Sequence, residues 1–280
     1  GWGPYEVEWG DLDGDGDLDG IFMNFGGARR RKFDNASLEN HWADRGKLEF
    51  TASIPAFEGE NSQDENDFAL LDADDDGDLD VIVGVLTGMP GPEKLFINQG
   101  RFCDGFLKQQ VGAFSDVVDG SLDVDVADLD GDGRLDVITV QGENRRGPTH
   151  ENRVYRNTGP KDTHAPTMGR TTKLDGPISA KALIEGIPIR AWIQDASFDD
   201  GVSFVAARLA WRIETESVGD GVVVQSATRE MISVGGGIHR AVVQPSDQAL
   251  VGGSLEVSIL ATDAAGNSTV SRVWVATIVE

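Results

Sequence analysis

One cysteine, Cys103, stands in 280 residues, so no internal disulfide can hold this chain together. Long apolar runs are missing too: nothing approaches the roughly 18 consecutive apolar residues of a membrane-spanning helix, which argues against membrane insertion. Basic residues are scarce, 24 Lys+Arg against 48 Asp+Glu, for a formal net charge of -24. That balance excludes nucleic acid as a partner, because phosphate binding draws its affinity from clustered Lys and Arg. Catalytic signatures are absent as well: there is no Gly-x-Ser-x-Gly elbow, no phosphate loop and no His-Glu-x-x-His pair. The four histidines, His41, His150, His164 and His239, are scattered and are expected at the surface. Cys103 has no histidine near it in sequence and reads as a half-buried free thiol beside Phe102. The sequence therefore predicts a protein that is not an enzyme.

Glycine is abundant, with 35 residues, about one in eight against a usual share near 7%. So many punctuators favour short strands joined by tight turns over long helices. The charge is unevenly spread. Residues 1–160 hold 34 acids and 14 bases, whereas residues 161–280 hold 14 acids and 10 bases. The shift falls in 157–166, whose two prolines and small polar residues read as a linker, so domains are expected at 1–160 and 166–280.

The first part is organised by a repeat. Asp11-Leu-Asp13-Gly-Asp15-Gly-Asp17-Leu-Asp19, Asp72-Ala-Asp74-Asp-Asp76-Gly-Asp78-Leu-Asp80 and Asp128-Leu-Asp130-Gly-Asp132-Gly-Arg134-Leu-Asp136 start 61 and 56 residues apart. Periods of that length signal propeller blades or another array. Apolar pairs precede each loop at alternate positions, Val7/Trp9, Phe68/Leu70 and Val124/Val126, and a short apolar run follows it, so each loop joins two strands. A third strand closed by Asn-x-Gly is expected at Leu95–Gly100 and Val154–Gly159, with a weak echo at Phe33-Asp34-Asn35. Gly46–Phe50 and Gly100–Phe102 are placed to begin a fourth, so each repeat reads as a four-stranded antiparallel blade.

Carboxylates at positions 1, 3 and 5 of a tight loop converge when glycine at position 6 lets the backbone turn, and oxygen-only ligation selects a hard cation such as calcium. Asp11, Asp13 and Asp15, then Asp72, Asp74 and Asp76, then Asp128, Asp130 and Asp132 occupy those positions. Position 9 adds Asp19, Asp80 and Asp136, while position 7 (Asp17, Asp78, Arg134) would offer its backbone carbonyl. An EF-hand needs a bidentate Glu at position 12, where Phe22, Val83 and Thr139 stand instead. Acidic turns that merely solubilise strand ends would not repeat this spacing three times, and so many adjacent carboxylates repel strongly without a cation. About three calcium ions are expected.

On these motifs residues 1–160 resemble FG-GAP/VCBS repeats, the calcium-loop blades of integrin-α-type β-propellers and of many bacterial surface proteins. The resemblance implies ions that staple strand to strand rather than perform chemistry. It also implies a ring, yet 160 residues supply fewer than three full blades where rings close with four to eight. The chain opens at Gly1 without an initiator Met or a leader, so a removed signal or a longer polypeptide is expected. The remaining blades would come from that longer chain or from a partner chain; an open array is the third option.

Residues 166–280 alternate apolar and polar in short stretches around Ile187–Ile193, Phe204–Ile213, Gly221–Gln225, Ile238–Val243, Leu255–Ala261 and Ser271–Ile278, which predicts a β-sandwich. Ala261-Thr-Asp-Ala-Ala-Gly-Asn267 before a final strand is similar to bacterial immunoglobulin-like or fibronectin-III-like modules. Trp192, Trp211 and Trp274 sit inside strands and are expected in the core. The fold class is thus all-β, a partial propeller of about three four-stranded blades plus a C-terminal sandwich.

Function follows as a calcium-stabilised, non-catalytic binding or adhesion module, extracellular, cell-surface or periplasmic, that engages a protein or glycan. A structural subunit of a larger envelope assembly, or the accessory region of a secreted carbohydrate-active enzyme, are the alternatives. Arg29–Lys32, the only basic run, reads as a solvated loop or as a contact for an acidic partner or glycan. Asn35-Ala-Ser37 and Asn267-Ser-Thr269 match the glycosylation sequon.

Overall fold

The computed structural model describes residues 4–24, 35–58, 65–86, 92–102, 105–114, 120–142, 151–174, 176–195, 197–198, 205–217, 221–235, 237–246 and 251–280. Cys103, His150 and the Arg29–Lys32 run lie outside them. The chain divides into two compact units, Gly1–His164 with Ala196–Gly201, and Ala165–Asp195 with Val202–Glu280. No helix among the described residues is long and apolar enough to cross a membrane.

In the first unit β1 (Pro4–Gly10), β2 (Asp19–Asn24), β3 (Ala36–Asn40) and β4 (Phe50–Ser53) form an antiparallel sheet in chain order, with the one-turn α1 (Trp42–Arg45) between the last two. The pattern returns in β5 (Glu65–Leu71), β6 (Asp80–Val85), β7 (Lys94–Asn98) and β8 (Leu107–Gln109). Among the described residues a third sheet contains β9 (Ser121–Ala127), β10 (Asp136–Gln141) and β11 (Arg153–Tyr155). The register repeats too: Trp9 pairs with Gly20, Leu70 with Val81 and Val126 with Val137. Each aspartate loop therefore connects the first two strands of a blade in the same way.

Two details differ from the sequence reading. The third strand of the first blade runs to Asn40, and Phe33-Asp34 lie outside the described residues. Asn40 lacks the Gly that marks the turn after Asn98 and Asn157, because α1 starts there instead. The fourth strands begin later than Gly46 and Gly100, at Phe50 and Leu107.

The middle blade is covered on both faces, and accordingly β5 and β6 are buried along their whole length. One apolar cluster joins Leu12, Ile21 and Met23 of the first blade to Phe68, Leu70 and Val83 of the second. Another joins Ala69, Leu71 and Ile82 to Val124, Val126 and Val137 of the third. Gly84 is required by this closeness, since a Cβ there would lie 2.7 Å from a Val124 methyl. Alongside the apolar contacts runs a row of acids at one repeat position, Glu6, Asp67 and Asp123. Asp67 is buried, takes a 2.6 Å hydrogen bond from the Val124 N–H, and is hydrogen-bonded to the side chains of Glu6 and Asp123. Burial first, and then proton sharing with those two carboxyls, holds Asp67 well above the usual carboxylate range.

The second unit contains β12 (Thr167–Thr171), β13 (Ile178–Ser179), α2 (Ala180–Glu185) and β14 (Ile187–Gln194). The two-residue β15 (Ser197–Phe198) belongs to the first unit, where it pairs with β5. There follow β16 (Ala206–Ser217), β17 (Gly221–Glu230), β18 (Ile232–Ser233), β19 (Ile238–Val243), β20 (Ser254–Thr262), β21 (Ser268–Val270) and β22 (Trp274–Val279). One sheet is ordered β12-β14-β19-β18; the other is ordered β13-β22-β20-β16-β17, with β21 also on β20. A single core draws Ile189, Ile193 and Val243 from one sheet and Leu209, Trp211 and Val257 from the other, which makes this unit a β-sandwich. Alternation along β20, buried at every second residue, is the period-two pattern visible in its sequence. Ser179 caps α2 by accepting the Ala182 N–H.

Trp192, Trp211 and Trp274 are buried, as expected of core residues. The histidine expectation fails at two places. His41 is buried and meets the Thr51 hydroxyl through Nε2 at 2.7 Å, and His239 is buried in β19. Asn35, of the first sequon, is buried against Glu65 and is not presented for glycosylation.

Phe57 is fully buried with its ring centroid 4.3 Å from that of Phe96 and 5.8 Å from that of Phe68. Phe57→Ala is expected to destabilise the first unit by about 3–5 kcal/mol. Denaturant unfolding followed separately in the two units checks it, the sandwich transition staying where it was.

Candidate metal centres

Each loop is shaped by its own aspartates. The position 1 carboxylate accepts the N–H of the position 6 glycine in all three: Gly16 to Asp11 at 3.0 Å, Gly77 to Asp72 at 2.9 Å, and Gly133 to Asp128 at 3.0 Å. Those glycines have φ of 90, 96 and 80°, the left-handed region that glycine enters without a Cβ clash. Position 5 likewise accepts the N–H of position 7, Asp17 to Asp15 at 3.0 Å, Asp78 to Asp76 at 3.2 Å and Arg134 to Asp132 at 3.1 Å. The turn thus aims its carboxylates at one point.

Oxygens of Asp11, Asp13 and Asp15 lie within 4.8 Å of one another, as do those of Asp72, Asp74 and Asp80 and those of Asp128, Asp130 and Asp132. The donor sets contain oxygen only, which fits a hard divalent cation. Position 9 has an additional structural task. Asp19 accepts the Leu12 N–H at 3.0 Å and the Asn40 N–H at 2.8 Å, and Asp80 accepts the Ala73 and Asn98 N–H groups, both at 2.8 Å. Asp136 takes the Asn157 N–H at 2.8 Å. This carboxylate clips the loop to the end of the third strand, a role that the sequence hinted at only through the recurring Asn. Asn98 extends the clip between blades, donating to Leu79 O at 3.1 Å and to Leu12 O at 2.7 Å.

At position 7 the three loops diverge. The Asp17 side chain accepts the Ala43 N–H at 2.6 Å and so anchors α1. One oxygen of Asp78 is buried without a hydrogen-bond partner. Arg134 places Nη1 2.8 Å from Asp132 and donates through Nε to Gly159 O at 2.8 Å. Arg156 reaches Asp130 at 2.6 Å. Two guanidinium groups therefore lie on the third triad, where the first two loops have none among the described residues.

The proton affinities follow this division. Burial first, and then neighbouring carboxylates, push Asp11 up to about 7, Asp13 to about 6, Asp72 to about 6 and Asp80 to about 7. Asp19 rises to about 8 for the same leading reason. At Asp132 a desolvation cost is outweighed by Arg134, and its carboxyl falls below the ordinary value.

The second loop carries a feature unnoticed in the sequence. Position 4 is left-handed in all three loops, with Gly14 at φ 74°, Gly131 at φ 75° and, in the second, Asp75 at φ 60°. A non-glycine residue there is strained and needs outside support. Thr163 supplies it by donating its N–H at 2.8 Å and its hydroxyl at 2.7 Å to Asp75, and His164 adds Nδ1 at 2.9 Å. The segment that reads as a linker in the sequence is thus tied to the second loop.

Folding raises these carboxyls above the 3.8 of a free aspartate, so the protonated loops favour the folded state. Their contribution is full below about pH 4 and is lost as pH climbs through about 6 to 8. In chelator the melting temperature of the first unit is expected to fall between about pH 5 and pH 8, and in millimolar calcium to hold level or rise. Asp75→Gly removes the strain together with the Thr163 and His164 contacts. It is expected to speed trypsin cleavage after Lys161 without lowering the melting temperature.

Comparison with known proteins bears on this site. Residues 72–139 match the model of the FG-GAP-like repeat family, a stretch that begins at the first aspartate of the second loop and contains the whole third loop. No curated protein matches the chain. The likeness to FG-GAP repeats accords with the propeller-like arrangement of the blades.

Proposed function

We propose that this chain is a calcium-stabilised, non-catalytic binding or adhesion module that works outside the cell or at its surface. The observation that carries the reading is the convergence of three carboxylates within 4.8 Å in loops at the same place in successive blades. In that reading Asp11, Asp13 and Asp15 hold one ion and Asp72, Asp74 and Asp80 another, and Asp76 and Asp78 stand next to the second. A bound divalent ion supplies positive charge that relieves the gathered carboxylates and fixes the turn; no bond is made or broken. The second unit serves as an immunoglobulin-like spacer, and a protein or glycan is engaged on the loop-bearing side of the blades, where rigid strands hold variable segments.

Location follows from affinity. Loops of this kind fit the weak extracellular class, with dissociation constants of roughly 10⁻⁴ to 10⁻³ M, and calcium is plentiful enough to fill them only outside the cytosol. Ten-fold saturation stabilises by about 1.4 kcal/mol per site, enough for two sites to matter to a small stack of blades.

The third loop differs, because Arg134 and Arg156 already neutralise its carboxylates. Calorimetric titration is expected to resolve two ions bound alike and a third bound at least about ten-fold more weakly, a difference of about 1.4 kcal/mol. Arg156→Ala should narrow that gap, whereas Asp13→Asn and Asp74→Asn should each remove one of the two tighter ions. A chain that takes up no calcium, and melts alike in calcium and in chelator, would rule the reading out.

A further inference from the structure

The turn that leaves β20 carries a carboxylate of which the backbone uses only half. Asp263 follows Thr262, the last residue of that strand, and is 7% exposed. Its Oδ1 accepts the Gly266 N–H at 2.6 Å and the Asn267 N–H at 2.7 Å, and its own N–H donates to Asn267 O at 3.1 Å. Those bonds close the turn, with Gly266 at φ 96°. One acceptor oxygen is all that such a turn asks, and Asn or Ser supplies one without charge. Oδ2 is left over: it is buried and has no hydrogen-bond partner among the described residues. A buried carboxylate oxygen without a donor is costly, so the turn alone does not account for an aspartate here.

A second acid stands close by. Asp195 directly follows β14, is half-buried, and offers a carboxylate oxygen within 4.8 Å of one from Asp263. β14 and β20 belong to opposite sheets of the sandwich. The pair therefore sits where the ends of the two sheets come together, beyond the pairing of Gln194 with Thr167 in one and of Thr262 with Ala206 and Ser268 in the other. Two acceptors at this distance, one of them buried without a donor, are relieved by a positive charge between them.

We propose that Asp195 and Asp263 hold a hard divalent cation, calcium, that ties the ends of the two sheets together. Both donors are oxygen, the ligand type that such an ion selects, and water completes its shell. This ion lies inside the second unit and is additional to those of the aspartate loops, so either kind of site can bind without the other.

The test is calcium titration of the full chain carrying Asp13→Asn, Asp74→Asn and Asp130→Asn, which takes one carboxylate from each loop. One ion is expected to remain, and its affinity to fall at least about ten-fold when Asp263→Asn or Asp195→Asn is added. Melting of the sandwich gives a second readout. In the otherwise unaltered chain its transition is expected to rise by about 5 °C or more at ten-fold saturation with calcium, and by less than about 1 °C in Asp263→Asn. In chelator the order reverses. Asp263→Asn keeps an oxygen to cap the turn and puts an N–H donor where the buried oxygen stood, so without calcium it melts at or above the temperature of the parent chain. No ion left in the loop variant, a sandwich transition indifferent to calcium, or substitutions that destabilise equally in calcium and in chelator would each overturn the proposal. Calcium uptake by the loops with none by the sandwich refutes this site alone.

Discussion

Gathering like charges in one place is the constraint on which the first unit depends. A nine-residue turn that directs three carboxylates to within 4.8 Å of one another cannot persist fully ionised without something positive near it. Backbone N–H groups provide part of the answer, and their arrangement is the same in every loop, from the position 6 glycine to the position 1 aspartate. What completes it differs. Burial and neighbouring carboxylates raise the proton affinity of the first two loops, whereas the third recruits Arg134 and Arg156. One motif thus takes two electrostatic forms within a single chain.

The loops matter beyond their own residues because each joins the first two strands of a blade and is clipped to the third. Asp19, Asp80 and Asp136 make that clip through the N–H of an Asn at the third strand's end, and Asn98 carries it on to the neighbouring loop. Below this polar layer the blades meet through apolar faces, and the middle one is buried on both sides. Among the described residues the apolar clusters join each blade to the next one, so stability in such a stack is largely a sum of local terms.

The second unit is held by different means. Its sheets share one apolar core, and β20 buries every second residue. Burial of aliphatic and indole side chains needs no counter-ion, which is why the excess of acid in the chain falls almost wholly on residues 1–160. The two halves of the sequence look unlike because the two units are stabilised by unlike forces.

Much of this was legible from residue order alone. The spacing of aspartates and glycines, the period of about 60, and the two-residue alternation on either side of each loop specify blades, loops and sandwich, since they are local consequences of backbone geometry. Contacts between residues far apart in sequence left no such trace. Nothing in the surroundings of Thr163 and His164 shows that they hold Asp75, and Arg156 gives no sign that it lies on Asp132, since only folding brings segments 24 to 89 residues apart into reach. Likewise His41 and His239 looked like surface residues until neighbouring strands covered them. Sequence by itself determined where charge is concentrated and how the chain turns around it; the tertiary structure decided which distant groups answer that charge, because electrostatic compensation depends on distance in space and not on separation along the chain.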